Sequence, residues 1–452
     1  MTAAEIAASV RSGTQTALEV TEAAIARAEA DPYNAFTDVT AARARSQARA
    51  VDARAVKGPL AGVPFAVKNL FDIQGLPTRA GSTINRTRPP ATGDAPLIQR
   101  LEAAGAVLIG GLNMGEYAYD FTGENVHDGA SRNPHDPARM TGGSSGGSGA
   151  AVAGGLVPIA LGSDTNGSIR VPASLCGIFG LKPTYGRLTR AGTFPFVASL
   201  DHLGPFARSV ADLALAYDAM QGPDPADPVC DPRAPEPAVP GLDSGLHDCR
   251  IAIAGGYFEH GAGDQALAAV ASCAAALGAT RRVELLAVGP ARAAAYLITA
   301  SEGAALHLDR LRHRAAEFDP AVRDRLIAGA LLPGVLVQQA QRFRRWFRAQ
   351  VLETLAEVDI LLAPATPCSA PLIGQTMMEL AGVPVPVPVP VRANLGIFTQ
   401  PISFIGLPVV AVPVRDGAMP IGVQVIAHPW REDLALRVAR RLEQTGVAAP
   451  FA

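Results

Sequence analysis

The sequence lacks an excess of charge of either sign, and its cysteines show no pairing. Its 452 residues carry a formal net charge of −2 and no Lys/Arg-rich tail, so it has no electrostatic footprint for nucleic acid. The five cysteines are odd in number, widely scattered and free of C-x-x-C pairs. This pattern predicts a reducing compartment and no zinc site. We therefore expect a protein that binds neither nucleic acid nor metal and needs no cofactor.

The sequence also shows no export signal and no membrane-spanning segment. Residues 1–13 include Glu5 and have neither a basic n-region nor an apolar h-region, which favours the cytoplasm. The uncharged stretch 142–163 is rich in glycine and serine and contains Pro158, unlike a transmembrane helix. With 48% apolar and 18% charged residues, the chain is expected to be soluble and to bury a large core.

Glycine and serine are concentrated between residues 142 and 174. The first part of this stretch sets five glycines among three serines, namely Gly142, Gly143, Gly146, Gly147, Gly149, Ser144, Ser145 and Ser148. Such density lets the backbone approach a substrate and leaves N–H groups free. Ser168 follows the turn 164–167, an arrangement that suits nucleophilic attack on a carbonyl. A phosphate loop would need a lysine that 142–152 lacks, and a linker would not continue into the apolar run 150–161.

The sequence offers no obvious histidine as the base for such a nucleophile. None of its eight histidines lies in a recognisable Ser-His-Asp motif such as G-x-S-x-G, so a lysine acting through a second hydroxyl becomes the attractive base. Lysine is rare, because only Lys57 and Lys182 occur besides Lys68. Lys68 lies in an apolar, strand-like run. Bringing its pKa from about 10.4 to near neutrality costs roughly 4 kcal/mol, which burial can supply.

These motifs resemble those of the amidase signature hydrolases. The resemblance rests on the glycines and serines of 142–149, the Ser-x-Arg-x-Pro ending at 168–172 and the Gly-Val-Pro-x-x-Val-Lys run at 62–68. It implies that Ser168 is the nucleophile, that Ser144, with a cis peptide bond, relays its proton, and that Lys68 is the base. The spacing of the two serines agrees with that of the family. The resemblance also implies an oxyanion hole formed by the backbone N–H groups of Thr165, Asn166, Gly167 and Ser168.

The resemblance covers nearly the whole chain, through further blocks at 199–205, 363–367 and 420–424. Two positions depart from it. Asn166 replaces a glycine that is usual in the family, and Ser403 stands where asparagine is common. Asparagine tolerates a left-handed backbone, and its amide can contact a polar substrate. The departures bear on the substrate and not on the chemistry, and we predict that Asn166, Arg170 and Thr122 bind the substrate.

The activity implied by the resemblance is hydrolysis of linear amides, with release of ammonia by way of a serine acyl-enzyme. The sequences of residues 69–73, 81–87 and 164–168 are most similar to those of family members that act on 1-carboxybiuret, a urea-like carboxylated amide of cyanuric acid breakdown. Two alternatives are another small-amide hydrolase of ureide or purine breakdown and the glutaminase subunit of a tRNA amidotransferase. A binding protein without chemistry is disfavoured, because all three catalytic positions are intact.

Alternating strand and helix patterns predict an α/β fold. Strands are expected at 62–70, 106–112, 409–414 and 421–426. The resemblance implies a central mixed β-sheet flanked by helices on both faces, in a single domain of residues 1–452. After a Pro/Asp-rich tract at 222–245, a helical segment of about 245–357 is expected to be less tightly integrated. The Val/Pro run 383–391 is predicted to be an extended edge or loop, since proline removes donors.

Partners are implied by the resemblance alone. It suggests that the chain pairs with a small helical accessory subunit, and that two such pairs form a homodimer, that is, a heterotetramer. The predicted helix 340–356 carries arginines that such a partner can contact, namely Arg342, Arg344, Arg345 and Arg348. A merely solvated helix face is the common alternative for such a charge run, and a self-sufficient enzyme is the alternative for the whole chain.

Overall fold

The structure is a computed structural model that describes residues 1–53, 58–382, 388–415 and 417–451. Within these residues the helices are α1 Ala3–Ser12, α2 Ala17–Ala30, α3 Ala41–Asp52, α4 Pro96–Ala103, α5 Gly146–Ala153, α6 Arg170–Cys176, α7 Val210–Met220, α8 Asp264–Leu277, α9 Val288–Arg314, α10 Pro320–Ala330, α11 Gly334–Leu355, α12 Val391–Asn394, α13 Gln400–Phe404 and α14 Glu432–Gln444. None of these helices combines the length and apolar character that crossing a membrane requires.

The strands are the second class of element. They are β1 Phe36–Val39, β2 Pro64–Lys68, β3 Val107–Leu112, β4 Arg132–Asn133, β5 Asp136–Met140, β6 Ile159–Asp164, β7 Phe179–Lys182, β8 His202–Ala207, β9 Ile251–Ala254, β10 Arg281–Val283, β11 Ile360–Pro364, β12 Met377–Met378, β13 Val389–Pro390, β14 Val409–Val414 and β15 Ile421–Ala427. The four strands predicted from the sequence are therefore present as β2, β3, β14 and β15, with ends shifted by three residues or fewer.

Eleven strands form one mixed sheet in the order β1-β3-β2-β6-β8-β7-β14-β15-β11-β9-β10. Strand β2 is parallel to both β3 and β6, whereas β6 is antiparallel to β8 and β14 is antiparallel to β15. Helices flank the sheet, since α6 and α14 both pack against β14 and β15. The predicted α/β class with a central mixed sheet is confirmed.

Alternation along β2 assigns its side chains to two cores. Phe65 and Val67 belong to one buried cluster, and Ala66 belongs to the cluster on the other side, together with residues of α5. Because side chains alternate between the faces of a strand, Lys68 follows Ala66 on the α5 side. The apolar run around Lys68 thus directs its amine under the glycine- and serine-rich stretch.

The helical segment of about 245–357 is joined to the sheet by strand pairing. Strand β9 is parallel to both β11 and β10, so the sheet continues into this segment. The division of the chain into one domain or more stays a prediction. In the Val/Pro run, residues 383–387 lie outside the described residues. Strand β13 at the end of that run pairs only with β12, apart from the main sheet, as an extended edge segment would.

Candidate active site

Lys68 ends strand β2 and is enclosed by three serine hydroxyls. Its Nζ donates to Oγ of Ser144 at 2.7 Å, to Oγ of Ser163 at 2.8 Å and to Oγ of Ser145 at 3.0 Å. Lys68 and Ser144 are both fully buried. An amine with three hydroxyl neighbours can pass a proton to, or take one from, any of them.

The amine of Lys68 has no carboxylate in direct contact among the described residues. Burial lowers its pKa to about 7, against the opposing pull of three more distant carboxylates, Asp201, Asp164 and Asp120. Burial disfavours the charged form of an amine because the surrounding protein solvates it less well than water does. A substantial neutral fraction near pH 7 is what a general base requires.

The loop before α5 brings Ser144 and Ser145 to the amine. The peptide bond Gly143–Ser144 is cis, and the carbonyl of Ser144 accepts from the N–H of Gly115 at 3.1 Å. Ser145 lies over Gly162 of β6, where an added Cβ would come within 2.9 Å of Ser145 Oγ. A glycine at 162 therefore permits the loop to approach the sheet closely enough to reach Lys68.

Ser168 lies in the turn between β6 and α6 and is 3% exposed. It lines a small pocket together with Asn166 and Arg325. Gly167 has a φ of 146°, and a Cβ there would lie 2.1 Å from Oγ of Thr399, so both conformation and space demand glycine. Within the described residues, the N–H groups of 165–168 donate to no other protein atom. Free donors beside a hydroxyl are the arrangement that can stabilise an oxyanion.

The structure brings Lys68 and Ser144 into contact, but no hydrogen bond joins Ser144 to Ser168 among the described residues. Contacts of this kind are often long in a ligand-free enzyme and shorten when substrate is bound. The pocket side of the site is formed by Ser168 and the loop of 118–121. The relay from Ser168 through Ser144 thus stays a proposal about the substrate-bound state.

Arg170, predicted to bind substrate, is fully buried and fully engaged. Its five N–H donors reach Asp164 twice, the carbonyl of Thr399, Gln424 and Ser403. A guanidinium has five donors in all, so none remains for a ligand. Burial works to raise the pKa of Asp164, but the charge of Arg170 outweighs it and holds that pKa below its usual range. Contrary to the expectation, Arg170 braces the turn that carries Ser168.

Thr122 is also committed to protein contacts. Its Oγ1 donates to Oδ1 of Asp120 at 2.7 Å and accepts from the N–H of Glu124 at 3.2 Å. It is 2% exposed and is not among the residues that line the pocket with Ser168. Instead it helps to position Asp120, which is bonded to Arg392 at 2.8 Å. The expectation of a direct substrate contact from Thr122 thus finds no support in its position.

Of the three predicted substrate contacts, Asn166, Arg170 and Thr122, Asn166 alone is among the residues that line the pocket. Its Nδ2 donates to Oγ1 of Thr299 in α9 at 2.9 Å, and its carbonyl accepts from Oγ1 of Thr399 at 2.7 Å. Asn166 is 7% exposed. The residue that departs from the family pattern is therefore held from two sides at the wall of the pocket.

Sequence reasoning missed most of the pocket wall. Besides Ser168 and the predicted turn residues Thr165 and Asn166, the lining residues are Ala118, Tyr119, Asp120, Phe121, Phe196, Tyr296, Arg325 and Gln400. Several come from α9, α10 and α13, which carry no motif of their own. Asp201 was also missed as a support, although the block 199–205 drew attention to its surroundings. It accepts from Oγ1 of Thr165 at 2.6 Å and from two N–H groups.

Metal-ligating side chains do not cluster in the part of the chain that the structure describes. The groups that the site does present are hydroxyls, an amine and backbone N–H groups. A serine hydroxyl facing a pocket, a cluster of serines on a buried lysine and a turn with free donors together fit acyl transfer to serine.

Comparison with known proteins agrees with this interpretation of the fold and the site. The Amidase family model matches residues 19–436, and the chain belongs to that family, the amidase signature enzymes. It is an amidohydrolase that cleaves C–N bonds of amides, and the resemblance inferred from the sequence is confirmed.

Particular relatives narrow the comparison. The chain is 55% identical to AtzE, the 1-carboxybiuret hydrolase subunit of Pseudomonas sp. (strain ADP), over 457 residues, which cover 99% of each chain. It is 38% identical to a glutamyl-tRNA(Gln) amidotransferase subunit of Chloroflexus aggregans over 462 residues, covering 94% of this chain and 92% of that one.

Solved structures of related enzymes have the same fold as this chain. One described in the words "An unexpected vestigial protein complex reveals the evolutionary origins of an s-triazine catabolic enzyme" has a TM-score of 0.98 and 55% identity, with full coverage of both chains. The 6-aminohexanoate cyclic dimer hydrolase complexed with substrate has a TM-score of 0.88 and 30% identity, covering 98% of this chain and 96% of that one.

Proposed function

We propose that this chain is a 1-carboxybiuret hydrolase of cyanuric acid breakdown. The observation that carries the proposal is the 55% identity to AtzE, the 1-carboxybiuret hydrolase subunit, across 99% of both chains. The contact of Lys68 with Ser144 at 2.7 Å and the position of Ser168 on the pocket agree with it. The proposed substrate is small, carboxylated and urea-like, and the pocket beside Ser168 is lined by both polar and aromatic side chains.

The first half of the reaction forms the acyl-enzyme. Oγ of Ser168 attacks the carbonyl carbon while its proton passes to Ser144, and the proton of Ser144 passes to neutral Lys68. The oxygen of the tetrahedral intermediate takes the negative charge and is bound by the N–H groups of 165–168. Lys68, now charged, returns a proton through Ser144 to the leaving nitrogen. The C–N bond breaks and ammonia departs.

The second half regenerates the enzyme. A water molecule attacks the acyl carbon, and its proton follows the same route to Lys68. Collapse of the second intermediate breaks the bond to Ser168, whose oxygen recovers a proton from Ser144. One water is consumed, and one ammonia and one carboxylate are formed for each amide cleaved, so the step needs no cofactor.

The substrate carboxylate pairs with Arg325. This guanidinium lines the pocket with Ser168 and donates to the carbonyls of Ala321 and Tyr119. Burial lowers the pKa of Arg325. Within the described residues it has no carboxylate partner, and a partly buried cation without one favours an anionic ligand.

The alternatives inferred from the sequence are less well supported. The tRNA amidotransferase subunit has 38% identity to this chain, well below the 55% of the 1-carboxybiuret hydrolase subunit. The other alternative is a small-amide hydrolase of ureide or purine breakdown. The same pocket residues can bind any small carboxylated amide, so the two substrates are distinguished by experiment.

The test is release of ammonia from a panel of purified amides. The panel contains 1-carboxybiuret, biuret, allophanate, oxamate, glutamine and simple amides, each measured at several concentrations to give kcat/KM. We expect 1-carboxybiuret to have the highest kcat/KM. A higher value for glutamine would favour the amidotransferase alternative, and a higher value for allophanate or oxamate would favour another ureide hydrolase.

The proposal also includes a small helical accessory subunit that pairs with this chain. Two such pairs then associate as a dimer of pairs, that is, a heterotetramer. Support comes from the relative described as a protein complex and from α11. On this helix Val335 is 62% exposed and Trp346 44% exposed. Arg342 and Arg345 are exposed and form no ion pair among the described residues. Exposed tryptophan and arginine are enriched at protein interfaces, so the face fits an amphipathic helix with acidic side chains.

The arginines of α11 do not all belong to that face. Arg344, which the sequence placed with the exposed arginines, is bonded inward to the carbonyls of Ser199 and Phe404. Expression of the chain alone and with its genomic neighbour, followed by mass measurement in solution and specific activity, tests the partner proposal. A fully active monomer that gains nothing from co-expression would contradict it.

A further inference from the structure

Asn166 carries a polar atom that the protein leaves without a partner. Its Oδ1 is buried and accepts no hydrogen bond from any described residue. The residue lines the pocket beside Ser168 and is 7% exposed. Buried acceptors are almost always paired in folded proteins, and the exceptions concentrate where a ligand or a water supplies the donor.

The position of this oxygen is fixed by the groups around it. Nδ2 of Asn166 donates to Oγ1 of Thr299, which is fully buried in α9. The backbone is held by Thr399 at the carbonyl of Asn166 and by the tight packing of Gly167 against the same threonine. Because the amide is anchored at Nδ2, Oδ1 is left as an acceptor without a donor among the described residues.

The direction of the amide distinguishes the two sides of a bound carbonyl. The leaving nitrogen has to face Ser144 and Lys68, which supply its proton and which lie toward α5. Asn166 is tied instead toward α9 through Thr299. The substituent that remains on the acyl-enzyme does not need that proton, so it is the part of the substrate left free to meet Asn166.

We infer that Oδ1 of Asn166 accepts an N–H from the substrate nitrogen that stays on the acyl group, so that the pocket selects urea-type amides over ordinary carboxamides. This inference rests on the proposed amide hydrolysis at Ser168. A urea-type carbonyl has nitrogen on both sides, and one nitrogen remains after ammonia leaves. A carboxamide presents C–H there and leaves the oxygen unpaired, which a hydrogen-bonding site penalises strongly.

Biuret and malonamide form a matched pair for the test, because they differ by an N–H in place of a CH₂ between the two carbonyls. The measured quantity is the ratio of their kcat/KM values in the wild type and in Asn166→Ala. We expect the ratio to fall about 10- to 100-fold in the variant, because the loss on biuret exceeds the loss on malonamide by that factor. If turnover of either is too slow, their inhibition constants against the best amide are compared between the wild type and the variant, as a measure of the same discrimination in ground-state binding.

Variants of Thr299 separate recognition from folding. Thr299→Val removes the anchor of the amide and should lower the ratio less than Asn166→Ala does, whereas Thr299→Ser keeps the hydroxyl and the wild-type ratio. Labelling of Ser168 by a sulfonyl fluoride checks that its turn is still formed.

Equal losses of kcat/KM on biuret and malonamide in Asn166→Ala would mean that Asn166 only shapes the turn. No loss on either substrate would mean that Asn166 does not contact the substrate. Both results would overturn the inference.

The outcome does not depend on the identity of the natural substrate. The panel of amides decides whether 1-carboxybiuret is preferred, and that result concerns Arg325 and the carboxylate. The biuret-to-malonamide ratio concerns only the retained nitrogen. A wild-type enzyme that prefers another ureide but loses its ratio in Asn166→Ala would reject the proposed substrate and retain this inference.

Discussion

Nζ of Lys68 lies 2.7 Å from Oγ of Ser144, and it is the hydroxyl of a serine, not a carboxylate, that stands closest to this buried amine. Arg170, another fully buried cation, is paired with Asp164 at 3.0 Å. An ion pair would have held Lys68 in its charged form. The difference in partners explains how two buried cations have different functions. Arg170 stabilises the turn that carries Ser168, and Lys68 exchanges protons.

The first prediction concerns the three residues proposed to act as a unit. Ser168→Ala, Ser144→Ala and Lys68→Ala should each lower kcat/KM by about 10³-fold or more, because each interrupts the same proton path. Combining two of them should add little, since the first change already abolishes the path. Ammonia release measures the effect, and circular dichroism verifies the fold.

Ser148→Ala is the matched control for these variants. Ser148 lies in the same stretch but donates to the carbonyl of Leu161 and does not contact Lys68. We expect its activity to stay within a few-fold of the wild type. Wild-type turnover in a folded Ser168→Ala protein would remove Ser168 from the role of nucleophile.

The second prediction is an increase of kcat/KM with pH. The pKa of Lys68 is lowered to about 7 by burial, and only the neutral amine accepts a proton. Activity should therefore fall about tenfold per pH unit below this value and level off above it. Lys182, whose pKa burial also lowers to about 7, bonds to the carbonyls of Pro183 and Leu407. Lys182→Met should keep the profile, and a flat profile between pH 5 and 9 would argue against the base.

The third prediction concerns Arg325 and the substrate carboxylate. Arg325→Ala should lower kcat/KM for 1-carboxybiuret by about 10- to 100-fold, the usual loss for a hydrogen bond to a charged group. Hydrolysis of biuret, which has no carboxylate, should change little. Arg323→Ala on the same helix is the control, because Arg323 pairs with Asp324 near the surface. Equal losses on both substrates would exclude carboxylate recognition.

The fourth prediction concerns stability. Asp164→Asn leaves the fully buried Arg170 without its ion partner, so the free energy of unfolding should fall by about 3–5 kcal/mol. Asp136→Asn breaks the exposed pair with Arg139 and should cost about 1 kcal/mol or less. Urea denaturation followed by circular dichroism compares the two. Similar losses would mean that the buried pair contributes no more than a surface pair.

The sequence predicted those parts of the molecule that local pattern determines. Apolar runs indicated β2, β3, β14 and β15, and the position of Lys68 in such a run indicated its burial. The oxyanion turn could be predicted because its residues are consecutive. Arg325 and Thr299 could not, because they reach the site through the packing of α9 and α10, and their own helices have ordinary amphipathic patterns. The engagement of Arg170 with Asp164, Thr399, Gln424 and Ser403 could not be predicted either, because a motif does not show whether a side chain's donors face a ligand or the protein.

The turn that carries Ser168 is braced by residues far along the chain. Arg170 donates to the carbonyl of Thr399 and to Gln424, and Thr399 donates to the carbonyl of Asn166. Thr399 and Gln424 are synthesised long after Lys68, Ser144 and Ser168. A partly synthesised chain therefore carries the nucleophile on an unsupported turn, and we expect hydrolytic activity only when synthesis is nearly finished.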